Sequence, residues 1–162
     1  QKDIVKVSNM EIFMKTLNEK IQYVAKNGGV QKIEGIDLPG TLELTEDDKF
    51  ILNFQTTGSI IATGVDIYLV GDERSGNATD PVAVTDEPGV ILVRAKKTDG
   101  KYDITFYLYY RNLTGATNIY QIDLIGSGRS VITGKDHTIV ISEAGSEVIG
   151  NVYITKINVR LE

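Results

Sequence analysis

Cysteine is absent from this chain. That excludes disulfides, thiolate zinc sites and cysteine nucleophiles together, and leaves the compartment open. Tryptophan is absent too, and histidine occurs once, as His137. A catalytic histidine needs a nucleophile to serve or a carboxylate to orient it. Its neighbour Asp136 would point to the opposite face of a strand, so a surface or packing role is expected for His137. Positive charge is scarce: 17 Lys and Arg stand against 22 Asp and Glu, a net charge of −5, with no basic cluster beyond Lys96-Lys97. A nucleic-acid surface or a polybasic membrane patch needs more. No run approaches the ~18 apolar residues of a membrane span, and no signal peptide is visible. There is no P-loop and no dinucleotide fingerprint; Gly126-Ser127-Gly128-Arg129 has two glycines and nothing helical after it. No carboxylates are paired at a spacing that dictates facing geometry. The expectation is a protein without catalytic residues or cofactor, a hydrolase using Asp and Glu alone being the residual enzyme reading.

What is present begins with one helical pattern. Val7, Met10, Met14, Leu17, Ile21 and Val24 recur at spacings of three and four, the signature of an amphipathic helix, and Ile12 and Phe13 widen its apolar side. Ser8 or Asn9 is the candidate N-cap, with a start nearer Asp3 as the alternative. Gly28-Gly29 closes the helix. Lys15, Glu19, Gln22 and Lys26 form the solvated face. The seam has two uses open to it: packing on the chain's own sheet, or packing on copies of itself, with Met10, Met14, Leu17, Ile21 and Val24 as the assembly residues.

The remainder reads as strand and turn. Strands are expected over residues 30–38, 41–44, 49–55, 59–70 with a break at Gly64, 81–84, 116–125, 130–133, 136–142 and 148–161. The sharpest local prediction is the hairpin of residues 89–110. Asp99-Gly100 between two long strands forms a two-residue turn and sets Thr98 against Lys101, Ala95 against Ile104, Val93 against Phe106 and Ile91 against Leu108. With 162 residues the expectation is one globular unit. It is mainly β: an N-terminal amphipathic helix over residues 1–29, then an antiparallel β-sandwich or barrel of nine to eleven strands over residues 30–162.

Four groups of residues are candidates for chemistry or recognition. Asp72, Glu73, Asn77 and Asp80 offer oxygen ligands suited to calcium, without the EF-hand order of ligands. Glu46-Asp47-Asp48 is a second acidic cluster. Asn77-Ala78-Thr79 and Asn112-Leu113-Thr114 are N-glycosylation sequons in expected surface loops. Tyr102, Tyr107, Tyr109 and Tyr110 concentrate on the hairpin, where aromatics either pack the sheet or stack sugars.

The order Leu17-Asn18-Glu19-Lys20-Ile21-Gln22-Tyr23-Val24-Ala25, then Gly28-Gly29-Val30, then Ile36-Asp37-Leu38-Pro39-Gly40, is similar to the juxtamembrane part of archaeal type IV pilin-like proteins with class III signal peptides. The resemblance covers about the first 60 residues and includes the strand from Phe50 to Phe54; the remaining hundred match no family pattern. It implies a soluble domain cut from its N-terminal hydrophobic helix, the only membrane-associated part, in a cell-surface, extracellular filament subunit. The implied partners are copies of itself or other pilin-like subunits. An alternative is an extracellular β-sandwich that binds glycans or an envelope protein.

Overall fold

A computed structural model describes residues 2–58, 61–72, 76–78 and 86–162. The expected strand at 81–84 lies outside them. The chain is mainly β, and its described residues form one helix and two six-stranded sheets.

Helix α1 spans Lys2–Asn27, so the start nearer Asp3 is correct and Ser8 and Asn9 lie inside the helix. Its end is as expected: Gly28 takes φ +73° and donates its N–H to the Val24 carbonyl at 2.8 Å. At the other end the Asp3 carboxylate accepts the backbone N–H groups of Thr57 (3.0 Å) and Gly58 (3.2 Å), pinning the first turn to the end of a strand.

One sheet has the order β1-β11-β12-β9-β8-β5, formed by Val30–Ile36, His137–Ile149, Val152–Leu161, Ile119–Gly128, Leu113–Thr114 and Gly76–Asn77. The other has the order β10-β2-β3-β7-β6-β4, formed by Val131–Thr133, Thr41–Leu44, Phe50–Thr56, Lys101–Tyr110, Gly89–Thr98 and Asp66–Val70. The β6–β7 hairpin has the predicted register from Thr98↔Lys101 to Ile91↔Leu108, with Asp99 (φ 49°) and Gly100 (φ 76°) both left-handed as the tight turn requires.

Three expectations need correction. Pairing is not antiparallel throughout: β9 runs parallel to β12 over ten residues, and β5 parallel to β8. After β9 the chain crosses to the second sheet as β10 before returning as β11 and β12, and a crossover of that length permits a parallel neighbour. The expected strand at 116–125 does not stop before Gly126-Ser127-Gly128; β9 continues through them, because β12 supplies partners as far as Leu161↔Gly128. Finally, the expected strand at 148–161 is divided by a hairpin at Gly150-Asn151, where Gly150 takes φ +60°.

A single core cluster contains the helix seam and the inner faces of both sheets. The helix touches β1, β11 and β12 of one sheet and β6 and β7 of the other. Both sheets therefore cover its apolar stripe.

Candidate functional site

At the base of the β6–β7 hairpin, polar groups converge where the apolar pattern of the helix is interrupted. Asn18 lies between Leu17 and Ile21 on the buried side of α1 and is only 4% exposed. Both ends of its carboxamide are hydrogen-bonded. Oδ1 accepts the Tyr110 hydroxyl at 2.8 Å and Gln22 Nε2 at 2.9 Å, and Nδ2 donates to Glu87 Oε1 at 3.3 Å. That same Glu87 oxygen accepts Gln22 Nε2 and the Gly89 N–H, the latter at 2.9 Å. Burial holds the Tyr110 hydroxyl well above its ordinary pKa, and the Glu87 charge pushes it the same way. Tyr110 is thus a neutral donor here, able to tie but not to act as a base.

The network continues into the polar loop after β4. Arg111 donates from Nε and Nη2 to the Glu87 carbonyl at 2.9 and 2.7 Å, and from Nη1 to Asp72 Oδ1 at 3.2 Å. Asp86 accepts the Asn77 N–H and donates its own N–H to the Asn77 carbonyl at 3.1 Å. The arrangement fastens helix, hairpin base and loop to one another. It is a positioning device, and helical periodicity gives no hint of it: Gln22, expected on the solvated face, is half-buried against Asn18 and Glu87.

Of the calcium candidates, Asp72 is paired with the Arg111 guanidinium and Asn77 lies in β5. Glu73 and Asp80 lie outside the described residues. No group of three or more His, Asp or Glu suited to a metal occurs among the described residues. The Glu46-Asp47-Asp48 cluster is turn chemistry. The Thr45 hydroxyl donates to Asp47 and lowers its pKa, while Asp48, with φ +63°, has its pKa raised by burial and by the charges of Asp123 and Asp47.

The expected assembly residues Met10, Met14, Leu17, Ile21 and Val24 are buried in the chain's own core, none more than 8% exposed. The apolar groups that the helix leaves in water are Ile4, Val5, Ile12 and Tyr23, with Ile12 at 62%. Ile12 does not widen the buried stripe; its partner in that expectation, Phe13, does pack against the core. Val5 and Ile12 are seven residues apart, a spacing legible in the sequence. Val5, but not Ile12, lines an open cleft of about 340 Å³ between the N-terminal half of the helix and Leu38-Pro39, with Lys6 and Lys135 on its walls.

The hairpin tyrosines are not free platforms. Arg94 lies over the Tyr107 ring, Lys49 over Tyr109 and Lys97 over Tyr102, at 5.4–5.9 Å from the ring centroids. The asparagines of both sequons, Asn77 and Asn112, are exposed, and Asn77 is the register partner of Thr114, so the two sequons meet at one edge of the first sheet. Thr79 lies outside the described residues. His137 opens β11 with both ring nitrogens facing backbone carbonyls.

Comparison with protein-family models, with curated proteins and with solved structures finds no match to this chain.

Proposed function

We propose that this chain is the head of a non-enzymatic, pilin-like subunit of a cell-surface filament, its two sheets forming a β-sandwich-like body. The observation that carries this reading is the way α1 is held. Val7 to Val24 is clamped by both sheets, while Ile4, Val5 and Ile12 remain in water along the N-terminal half. A helix held this way in a β body presents a second apolar edge to neighbours. The pilin-like order of helix, paired glycines, strand and Leu38-Pro39 supports the same reading.

In this account subunit contacts use Val5 and Ile12, and the buried seam serves the head alone. Glycans at Asn77 and Asn112 would decorate one sheet edge of an extracellular head. Sugar binding on the hairpin is the weaker reading, because Tyr102, Tyr107 and Tyr109 would first have to release their cations.

The test is fractionation of the source cells with an antibody against the head, together with the reading frame upstream of Gln1. A short basic leader, about 20 apolar residues and recovery in the sheared-filament fraction are expected. An initiator methionine directly upstream, or recovery only with cytosolic protein, would overturn the proposal.

A further inference from the structure

We propose that the outer edge of β11 is a strand-addition site for an extended segment of another polypeptide that carries a lysine or arginine. β11 runs 13 residues, but β1 pairs with it only as far as Val30↔Ser142, because Gly28-Gly29 joins β1 to the helix. The Glu143 N–H still reaches the Gly29 carbonyl at 3.2 Å. From Ala144 to Ile149, β12 is the one strand beside β11 among the described residues. Every residue from Glu143 to Ile149 is exposed.

Gly150-Asn151 is a two-residue hairpin loop, so the flanking pair Ile149↔Val152 exchanges hydrogen bonds and the next pair, Val148↔Tyr153, does not. The alternation carries on through Glu147↔Ile154 to Ser146↔Thr155. The N–H and C=O groups of Ser146 and Val148 therefore point away from β12, into a lane about 20 Å long beside residues 144–149. The bulge at Ala144-Gly145, where Gly145 takes φ +98°, sets that lane apart from β1. An edge of this kind is a template for an added strand: main-chain hydrogen bonds supply affinity, and side-chain positions supply specificity.

The side chains beside the lane set the chemistry of its occupant. Val148 (57% exposed) and Tyr153 (42%) face one another on one side of the arm, and Tyr153 stacks on Tyr120 of β9 at 5.7 Å. A β-branched residue next to Val148 extends that apolar strip. Charge here has one sign: residues 138–149 hold two carboxylates, Glu143 and Glu147, and no Lys or Arg. Lys156 answers Glu147 at 3.2 Å. Glu143 has no ion pair among the described residues. Its carboxylate lies against Gly28, where a Cβ would fall 2.6 Å from Oε2, at the negative end of the 26-residue helix. A cation at one end of the added segment meets both. A second copy of this edge would bring further carboxylates instead, against a net charge of −5 on each chain. The site is independent of the filament reading.

The probes are two end-blocked heptapeptides of alternating valine and threonine, one with lysine at its first position and one with lysine at its last, titrated into nitrogen-15-labelled protein. With at least one of them the Ser146 and Val148 amide signals are expected to shift saturably and to exchange more slowly with solvent. Methylating one alternate set of peptide nitrogens should abolish binding, while methylating the other set should not. Replacing the peptide lysine by glutamate should weaken binding about threefold, and so should Glu143→Gln in the protein. No saturable shift with either peptide would overturn the proposal, as would equal binding of the two methylated forms or of the lysine and glutamate forms. The same amide shifts on concentrating the protein alone would also overturn it, because they would put a second copy on the edge.

Discussion

The α-carbon of Gly89 lies so close to Asn18 that a Cβ at position 89 would fall 2.3 Å from Asn18 Oδ1. Only glycine brings the hairpin base near enough for the Asn18 carboxamide to receive the Tyr110 hydroxyl while Glu87 takes the Gly89 N–H. Backbone approach and polar network are thus one feature. Gly89→Ala should destabilise the fold by about 1–3 kcal/mol, the usual cost of forcing a methyl group into a filled site. Asn18→Ala should cost a similar amount by leaving buried donors and acceptors unmet. Urea denaturation of the two variants and the double mutant measures both, and the double mutant should lose less than the sum, since removing Asn18 makes room for the methyl group.

The helix seam gives a second contrast. Leu17→Ala should cost about 2–5 kcal/mol, the range for truncating a fully buried leucine. Ile12→Ser should stay within about 0.5 kcal/mol, as exposed sites do. Equal losses at the two positions in denaturant melts would contradict the burial described for them.

Acid should loosen the start of the helix. The Asp3 pKa is lowered, chiefly by the Thr57 hydroxyl and further by the Thr57 and Gly58 N–H groups. A carboxylate lowered in the fold contributes stability above its ordinary value of 3.8, and that contribution is lost as pH falls through the lower folded value. Hydrogen exchange at the Thr57 and Gly58 amides should therefore accelerate in Asp3→Asn at pH 6. In wild type it should show an added acceleration only below about pH 4, once the intrinsic pH dependence of exchange is subtracted.

Asp48 behaves in the opposite sense. Burial, then the Asp123 and Asp47 charges, raise its pKa, so its ionised form opposes folding above the raised value and ceases to do so as pH falls below 3.8. Asp48 also holds a left-handed φ of 63°. Asp48→Gly should raise stability by up to about 1 kcal/mol at pH 7, with a smaller gain at pH 3.5, as thermal melts at the two values would show.

How much of this was legible in the sequence differs by element. The hairpin of β6 and β7 was readable to the residue because Asp99-Gly100 fixes the turn and period-two alternation fixes the faces. Helix extent was readable at Gly28, where left-handed backbone is demanded, and not at the start, where Asp3 is held by Thr57 across the fold. The Gly150-Asn151 turn carried a usable Gly-Asn signal. In contrast, the β9–β12 parallel pair depends on a long crossover, and local alternation carries no information about it. The same limit applies to the site: Asn18, Glu87 and Tyr110 meet only through tertiary contacts, and no spacing relates them. Sequence pattern also identified the seam residues as apolar without saying whether sheet or neighbour would cover them.

On the proposed reading the seam serves the head while Val5 and Ile12 face other subunits. Because these 162 residues hold no cysteine, a single-cysteine variant adds the one thiol of the head. Val5→Cys and Ile12→Cys should each give oxidation-dependent, subunit-to-subunit crosslinks in surface filaments, while Leu17→Cys should give none. Crosslinks through position 17, or none from positions 5 and 12 in intact filaments, would contradict the account.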